Sequence, residues 1–415
     1  VAKKLSVRDL DVQGKRVFCR VDFNVSLKKG AISDDTRIQS SLKTIKFLLD
    51  KGARLILASH LGRPAGAVVP EMSLKPVAQR LGELIGKQVK LAPDCVGAET
   101  KALADALKPG EILLLENTRF HKEEDEKADK ETKKFSAARD EFCKQMAALA
   151  DVYVNDAFGT AHRDHVSTCG VAKILKPAAM GFLIEEELKA MSVVRENPAH
   201  PYVVILGGAK ISDKIKIIDS FADRADVLMI GGGMAYTFLK AQGKEIGKSI
   251  LDKYEESKPK AEKVLEKTGE GKKCQLMLPV DVLAADKFDF KGDTDADANV
   301  CVVPSDKIPA NCEGLDIGPI STARFINVIQ TAKTIVWNGP VGVFEKDRYA
   351  AASRAIAQAV ALSKAYTVVG GGDSITAMNK FGLEGRFGHV STGGGASLEY
   401  LAGMKLPGID AIQEA

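Results

Sequence analysis

Arg37, Arg63, Arg119 and Arg163, with His60, Asp22 and Asn24, are the residues of the first half whose types could do chemistry together. Six of the seven follow apolar runs that end in a short polar cluster. The runs are RVFCRVDFN from Arg16, RLILASHLGRP from Arg54, ILLLENTRF from Ile112 and VYVNDAFGTAHRDH from Val152. Arg37 joins them from the loop SDDTRI. A planar guanidinium bonds phosphate or carboxylate with two parallel N–H groups, so several of them in one crevice suit an anionic substrate. One arginine alone reads as a surface residue, but the same placement recurs at run after run. His162 and His165 in HRDH lack a further His or Cys nearby to complete a metal site, and read as hydrogen-bonding or solvent-exposed groups.

The second half carries a different chemistry. Arginine thins out, with 11 before residue 200 and 5 after it, whereas glycine rises from 12 to 25. The apolar runs now end in glycine: VVILGGAK from Val203, VLMIGGGM from Val227, TIVWNGPVGVF from Thr334, YTVVGGGDS from Tyr366 and HVSTGGGAS from His389, with QLMLPVDV from Gln275 in the same rhythm. Glycines at a strand-to-helix turn let backbone N–H groups approach phosphates, and the following helix aims its positive end there. Lys210, Lys214, Glu345 and Asp373 lie beside these turns. A lysine there can neutralise a transferring phosphoryl group, and an aspartate after GGG can hold magnesium on nucleotide oxygens. For Lys214 and Glu345 a solvated surface role is the equal alternative.

Familiar fingerprints fail. No G-x-G-x-x-G sits in a Rossmann setting, so nicotinamide binding is disfavoured. GKEIGKS (243–249) is one residue short of a phosphate-binding P-loop and reads as a surface loop; DTDAD (293–297) lacks the glycine and glutamate of a calcium loop and reads as an acidic surface loop. The charged run HKEEDEKADKETKK (121–134) reads as a solvated loop and helix face. With no nucleophile elbow, no metalloprotease helix and no loop supplying a catalytic base, phosphoryl transfer to an already ionised acceptor fits best, because such an acceptor needs only alignment and charge neutralisation.

The elements that must position these groups are buried strands alternating with helical segments such as 40–50 and 74–85, that is, βαβ units and parallel sheets. Ligands in such sheets bind beyond the carboxyl ends of the strands, where the polar clusters and glycines fall. A length of 415 residues favours two domains. Between the halves, Ile184, Leu188, Met191 and Val194 recur at helical spacing until Asn197-Pro198 stops them, which predicts an amphipathic linker helix and a hinge. The fold class is therefore α/β: two Rossmann-like domains, each a parallel sheet flanked by helices, over residues 1–184 and 198–399, joined by a linker helix over 185–197.

A net charge of +4 and 6% aromatic residues offer no nucleic-acid stripe. Seven scattered cysteines without a C-x-x-C pair argue against a disulfide framework and a zinc site, and for a reducing compartment. Neither a signal peptide nor a membrane span is indicated, and a transit segment already removed stays open.

The segments RVDFN, SHLGRP, ENTRF, NDAFGTAHR, LGGAK, GGGMAYTF, WNGPVGVFE, GGGDS, HVSTGGGASLE and LPGIDA resemble those of the phosphoglycerate kinases, in order, from about Leu5 to Ile412. The resemblance implies reversible phosphoryl transfer from 1,3-bisphosphoglycerate to ADP, giving 3-phosphoglycerate and MgATP. It implies phosphoglycerate binding by Asp22, Asn24, Arg37, His60, Arg63, Arg119 and Arg163. It implies nucleotide binding by Gly207, Gly208, Ala209, Lys210, Lys214, Gly232, Asn338, Pro340, Glu345, Gly372, Asp373 and Ser374. Asp373 becomes the magnesium contact; Arg37 and Lys210, with the turns at Gly371 and Gly394, become the stabilisers of the transferring group. The resemblance further implies a cytoplasmic monomer without nucleic-acid or membrane partners, and a C-terminal segment (400–415) that returns to the first domain. One departure is Ser26, where the family continues VDFNVP; losing proline's fixed φ puts local rigidity in doubt, not activity. A nucleotide-dependent binding protein that has lost catalysis would show a damaged acceptor set, and this chain retains the whole set. A two-domain dehydrogenase would need the missing fingerprint.

Overall fold

The computed structural model describes residues 3–28, 30–212 and 214–415. By its internal contacts the chain forms two compact units, Val1–Lys189 with Lys405–Ala415, and Ala190–Met404.

The first unit is built on six parallel strands: β1 (Arg16–Val21), β2 (Arg54–Ala58), β3 (Val89–Leu91), β4 (Ile112–Leu114), β5 (Val152–Asp156) and β6 (Ala178–Met180). They lie in the order β3-β4-β2-β1-β5-β6. Alternate residues feed opposite faces. Val17, Cys19, Val21, Leu55 and Leu57 enter one apolar core, and Phe18, Ile56, Leu113 and Tyr153 enter the other. Burial on both faces is why these strands read as unbroken apolar runs. Strands β3, half-buried with Lys90 at its centre, and β6, with two small alanines, lack the apolar run that made the equally short β4 stand out. Because the chain crosses from one side of β1 to the other between β4 and β5, the sheet reverses its winding at β1 and β5, and their carboxyl ends flank a crevice.

In the second unit β7 (Tyr202–Leu206), β8 (Val227–Ile230), β9 (Gln275–Met277), β10 (Thr334–Asn338), β11 (Tyr366–Gly370) and β12 (His389–Ser391) form a second parallel sheet, ordered β9-β8-β7-β10-β11-β12. The reversal here lies between β7 and β10. The unit is not purely parallel. Asp281–Ala285 pairs antiparallel with Val300–Pro304 and with Glu313–Ile317, so QLMLPVDV divides between two sheets at Pro279. Asp281 is buried there and accepts the Ser321 and Ile320 N–H groups at 2.7 and 2.9 Å, satisfying the first turn of helix Pro319–Thr331.

Three expected surface segments are partly interior. Glu245–Ile246 pairs with Lys307–Ile308, and Ser249 is buried. Asp295, in the acidic loop, is buried against Lys346 at 2.6 Å and Tyr349 at 3.0 Å. Glu124, within the charged run, is fully buried, and residues 121–134 form no helix. In each case a partner distant in sequence supplies what the local pattern could not show.

The helix between the halves spans Phe182–Glu196. Ile184, Met191 and Val194 are buried and Leu188 half-buried; Glu187 is buried on the same element. Its start is fixed by Asp156 at the end of β5, whose Oδ1 accepts the Leu183 N–H at 2.9 Å, and by Thr44, which accepts the Phe182 N–H at 2.9 Å. Any side chain at Gly181 would collide with that carboxylate. The C-terminal segment lies beside the N-terminal one: the Leu5 N–H donates to Gln413 O at 2.8 Å, and the Gln413 N–H donates to Ala178 O at 3.0 Å. Among the described residues, no helix is long and apolar enough to cross a membrane.

Burial pushes Asp156 up to about 7, from an ordinary value of 3.8. A carboxyl raised in the folded state binds its proton more tightly there than in the unfolded chain. Its contribution to stability is therefore full below about pH 4 and falls as pH rises towards 7, by on the order of 4 kcal/mol at most. Asp156→Asn keeps the acceptor and cannot ionise. Between pH 5 and 8 the urea midpoint of the variant should gain on that of the parent; parallel curves would show that Asp156 carries no such linkage.

Candidate functional site

The carboxyl edge of the first sheet collects the anion-binding candidates. Asp22 and Asn24 follow β1, His60 and Arg63 follow β2, Arg119 follows β4 and Arg163 follows β5. Arg37 lies not in a loop but in the first turn of helix Thr36–Asp50, because Asp34 accepts the Thr36 N–H at 2.9 Å and starts the helix four residues before the apolar pattern does. There Arg37 forms an ion pair with the largely buried Asp22. Asn24 Oδ1 accepts the Gly62 N–H at 2.8 Å, and Arg119 Nη1 donates to Gly62 O at 2.8 Å, so the turn after β2 is held from both sides. Gly62 sits at φ +65°, a conformation open to glycine.

The electrostatics of this edge are one-sided. Arg119 is buried; desolvation, then Arg163, lowers its pKa, while its nearest carboxylate, Asp125, stands 3.7 Å away. Arg119 Nε is buried without a hydrogen-bond partner among the described residues. The Arg163 guanidinium donates to its neighbour His162, at 3.1 Å, and Arg63 is exposed; neither guanidinium has an ion-pair partner among the described residues. Burial, reinforced by these cations, lowers His60 well below its ordinary value and takes His165 down to about 3. Burial and Arg163 bring His162 to about 4. Neutral imidazoles among guanidiniums of this kind suit an anion, not a metal cation.

On the second sheet the turns after β7 and β10 meet. A side chain at Gly207 would collide with the carbonyl of Pro340, and one at Gly339 with that of Gly207. Gly232, after β8, has φ +64°, and a Cβ there would lie 2.9 Å from the Gly208 backbone. Lys214 is half-buried and engaged: its Nζ donates to Gly207 O at 3.0 Å and Asn338 Oδ1 at 3.1 Å, pinning the two turns. Ser374, fully buried, accepts the Gly339 N–H at 2.6 Å and donates to Gly370 O at 2.8 Å, linking β10 to the turn after β11. A Cβ on Gly371 would approach Asn338 Nδ2 at 2.7 Å.

What remains outward from this framework is Ala209, Lys210, Gly372 and Asp373, all exposed. Lys210 has no ion-pair partner among the described residues. Asp373 stands in the first turn of helix Gly372–Lys380, and its carboxylate takes part in no hydrogen bond or ion pair among the described residues. An exposed oxygen donor fits magnesium, which prefers one or two carboxylates and keeps its waters. Gly394, at φ +53°, precedes helix Gly395–Leu401. Glu345 is exposed and bonds the Phe344 N–H at 3.0 Å; no contact ties it to the glycine turns among the described residues. Asp94, Cys95 and His121 offer ligand atoms within 4.8 Å of one another, but the cluster is closed by a direct His121–Asp94 bond of 2.5 Å, and the Cys95 thiol donates to Glu116 O at 3.0 Å.

Both sheets therefore present a ligand edge at the reversal of their winding, one cationic and one lined with glycine. A family model described as phosphoglycerate kinase matches residues 7–404. The chain belongs to the phosphoglycerate kinase family. It is 49% identical over 411 residues to the phosphoglycerate kinase of Moorella thermoacetica, covering 99% of each chain. It is 49% identical over 422 residues to the cytosolic phosphoglycerate kinase of Triticum aestivum, covering 100% of each. Among solved structures, the phosphoglycerate kinase of Coxiella burnetii is 41% identical with a TM-score of 0.83, and that of Pyrococcus horikoshii is 31% identical with a TM-score of 0.79, each covering 98% of both chains. This kinase is thus a phosphotransferase with the two-sheet α/β fold of its family. Its Ser26, in place of the family proline, opens a short hairpin with Ala31–Asp34, where the Ser33 hydroxyl donates to Ser26 O at 3.0 Å.

Sequence reasoning missed Arg20, Ser59, Asn117, Glu124 and Ser167. Ser59 Oγ accepts the Phe23 N–H at 2.8 Å, and Asn117 accepts the Leu61 and Arg119 N–H groups, both at 3.1 Å. Arg20 carried a signal: it is the charged residue within the apolar part of RVFCRVDFN, and a charge buried in a strand demands partners.

Because the Pro340 carbonyl is backbone, it cannot swing aside as a side chain could. Gly207→Ala should force the turns after β7 and β10 apart, costing about 1–3 kcal/mol as overpacking does. Calorimetry should show ATP binding weakened at least tenfold and 3-phosphoglycerate binding retained; equal affinities for both ligands in parent and variant would refute the close-approach account.

Proposed function

We propose that the cationic edge of the first unit binds 3-phosphoglycerate or 1,3-bisphosphoglycerate, that the glycine-lined edge of the second binds ADP or ATP, and that the phosphoryl group passes directly between them in line. The observation that carries this reading is the pairing of chemistries: guanidiniums short of counter-charges on one sheet, and on the other glycine turns flanked by an exposed lysine and an exposed aspartate. Asp22, Asn24, Arg37, His60, Arg63, Arg119 and Arg163 form the phosphoglycerate side. Gly207, Gly208, Ala209, Lys210, Gly232, Pro340, Gly372 and Asp373 form the nucleotide side, with Lys214, Asn338 and Ser374 holding its turns and Glu345 at its margin.

A carboxylate acceptor is ionised at neutral pH, so no residue has to remove a proton. What the chain must supply is alignment and neutralisation of the charge on the transferring oxygens. Arg37 and Lys210 are suited to that, with N–H groups of the turns at Gly371 and Gly394. Magnesium held by Asp373 would supply further neutralisation of the nucleotide oxygens. We place the first domain at 1–184 with 400–415 and the second at 198–399, with closure about the linker helix excluding water that would compete as acceptor. Seven free cysteines support a reducing compartment, here the cytoplasm, and the family reading favours a monomer.

A coupled assay with ATP and 3-phosphoglycerate should show turnover that vanishes on chelation of magnesium; a folded sample without exchange would end the proposal. Lys210→Ala should lower turnover roughly 100-fold or more while stability stays within about 0.5 kcal/mol, since the side chain is exposed and has no ion-pair partner among the described residues. Arg37→Ala should lower turnover comparably and cost about 1 kcal/mol, because Asp22 loses its partner. Equal losses of activity and stability would make both residues structural.

A further inference from the structure

One of the fully buried ionisable side chains of the first unit belongs to a residue with no part in the proposed ligand set. Arg20 lies in β1, is fully buried, and spends its whole guanidinium inside the protein. Nη1 donates to the carbonyl of its neighbour Val21, Nε donates to Ser167 Oγ at 2.7 Å, and Nη2 lies 3.2 Å from His60 Nδ1. Ser167 passes the connection on: its hydroxyl donates to Glu124 Oε1 at 2.5 Å while its N–H donates to Glu124 Oε2 at 2.9 Å. Thr118 donates to the same carboxylate at 3.3 Å. Ser167 sits in a π-helical turn, Val166–Gly170, anchored beneath by Tyr153, whose hydroxyl lies 2.9 and 3.1 Å from the Ser167 and Thr168 carbonyls. Widened turns of this kind often serve a site.

We propose that Arg20 is a positioning residue for the acceptor substrate: held by Ser167 and Glu124, it fixes His60 as the neutral tautomer that carries its proton on Nε2. The argument is one of donors and acceptors. A guanidinium can only donate, so the imidazole nitrogen facing it must be the acceptor. Nδ1 is therefore bare, and the ring proton sits on Nε2, which has no protein acceptor among the described residues. That N–H is left for an oxygen of the anionic substrate. The converse tautomer would set two donors against each other and present a lone pair to the anion. Burial and the cations Arg20, Arg119 and Arg163 keep the ring neutral across the working range, so the donor does not become a competing charge. Arg20 needs Glu124 as its counter-charge, because a guanidinium in apolar surroundings without one would be too costly.

This inference rests on the phosphoglycerate reading of the site, but its first test does not. Long-range proton–nitrogen NMR on the ¹⁵N-histidine-labelled full chain, without substrate, should show His60 as a single Nε2–H tautomer, unchanged from pH 5.5 to 8. An Nδ1–H tautomer or a protonated ring in that range would overturn the proposal whatever the enzyme's substrate. Arg20→Met should then mix the tautomers and raise KM for 3-phosphoglycerate about tenfold, with KM for ATP unchanged. Ser167→Ala, a milder change that removes the hydroxyl linking Arg20 Nε to Glu124 Oε1 but keeps the N–H bond to Glu124 Oε2, should shift the same two readouts in the same direction by a smaller amount. If neither substitution moved the tautomer or the KM for 3-phosphoglycerate, Arg20 would be structural. Absence of any exchange between ATP and 3-phosphoglycerate in the parent would instead overturn the function and leave the tautomer result standing.

Discussion

Like charges brought together out of water repel, and the first unit is organised around that repulsion. Burial disfavours the charge on Arg119, and the neighbouring guanidinium of Arg163 adds to the cost. The protein offsets only part of it. Asp22 answers Arg37, Glu124 answers Arg20 through Ser167, and Asp125 stands off Arg119 at 3.7 Å. The rest is left without a counter-charge among the described residues, a surplus of the kind that suits an anionic ligand. It also accounts for the neutral histidines: a protonated ring at His60 or His165 would add to a surplus already near its limit.

The second unit solves the opposite problem. Its ligand edge depends on backbone coming close to backbone, and the carbonyls of Gly207 and Pro340 leave no room for a side chain between them. Lys214, Asn338 and Ser374 tie these turns from beneath, so the polar groups nearest to the glycines are occupied in holding the loop and are not offered to a ligand. The exposed groups, Lys210 and Asp373, are those without such duties. A site whose support and whose contacts are different residues can keep its shape when the ligand leaves.

Much of this was legible from residue order. Parallel strands buried on both faces are continuous apolar runs, so β1, β2, β4, β5 and most of the second sheet stood out. Their ligand ends did too, because polar residues and glycine cluster after such runs. The strands β3 and β6 were not legible: β3 is half-buried with Lys90 at its centre and β6 offers two small alanines, so neither shows the apolar run that marks β4 at equal length. The antiparallel sheet was hidden because Val300–Pro304 is half exposed and Pro279 breaks the run that leads into it. Glu124 and Asp295 were hidden for a stronger reason: each sits among like residues and is singled out only by a partner, Ser167 or Lys346, brought to it by the fold. Local pattern sees exposure on average, not the one member of a charged run that turns inward.

Arg20 marks the boundary between the two kinds of information. Its position within an apolar run could be read from the sequence as an anomaly. Its role could not, because that role is defined by which nitrogen of His60 it faces, and no spacing between residues 20 and 60 encodes a tautomer. Register does: β1 pairs with β2 so that Arg20 stands opposite Ala58, two residues short of His60. The strand alternation that sends Phe18 and Ile56 into one core also sends Arg20 to that face. The same alternation that builds the core thereby fixes where a ring proton lies, and a one-residue slip in the pairing of β1 would exchange the guanidinium for an apolar side chain. The chemistry of this edge is thus tied to the register of the sheet beneath it.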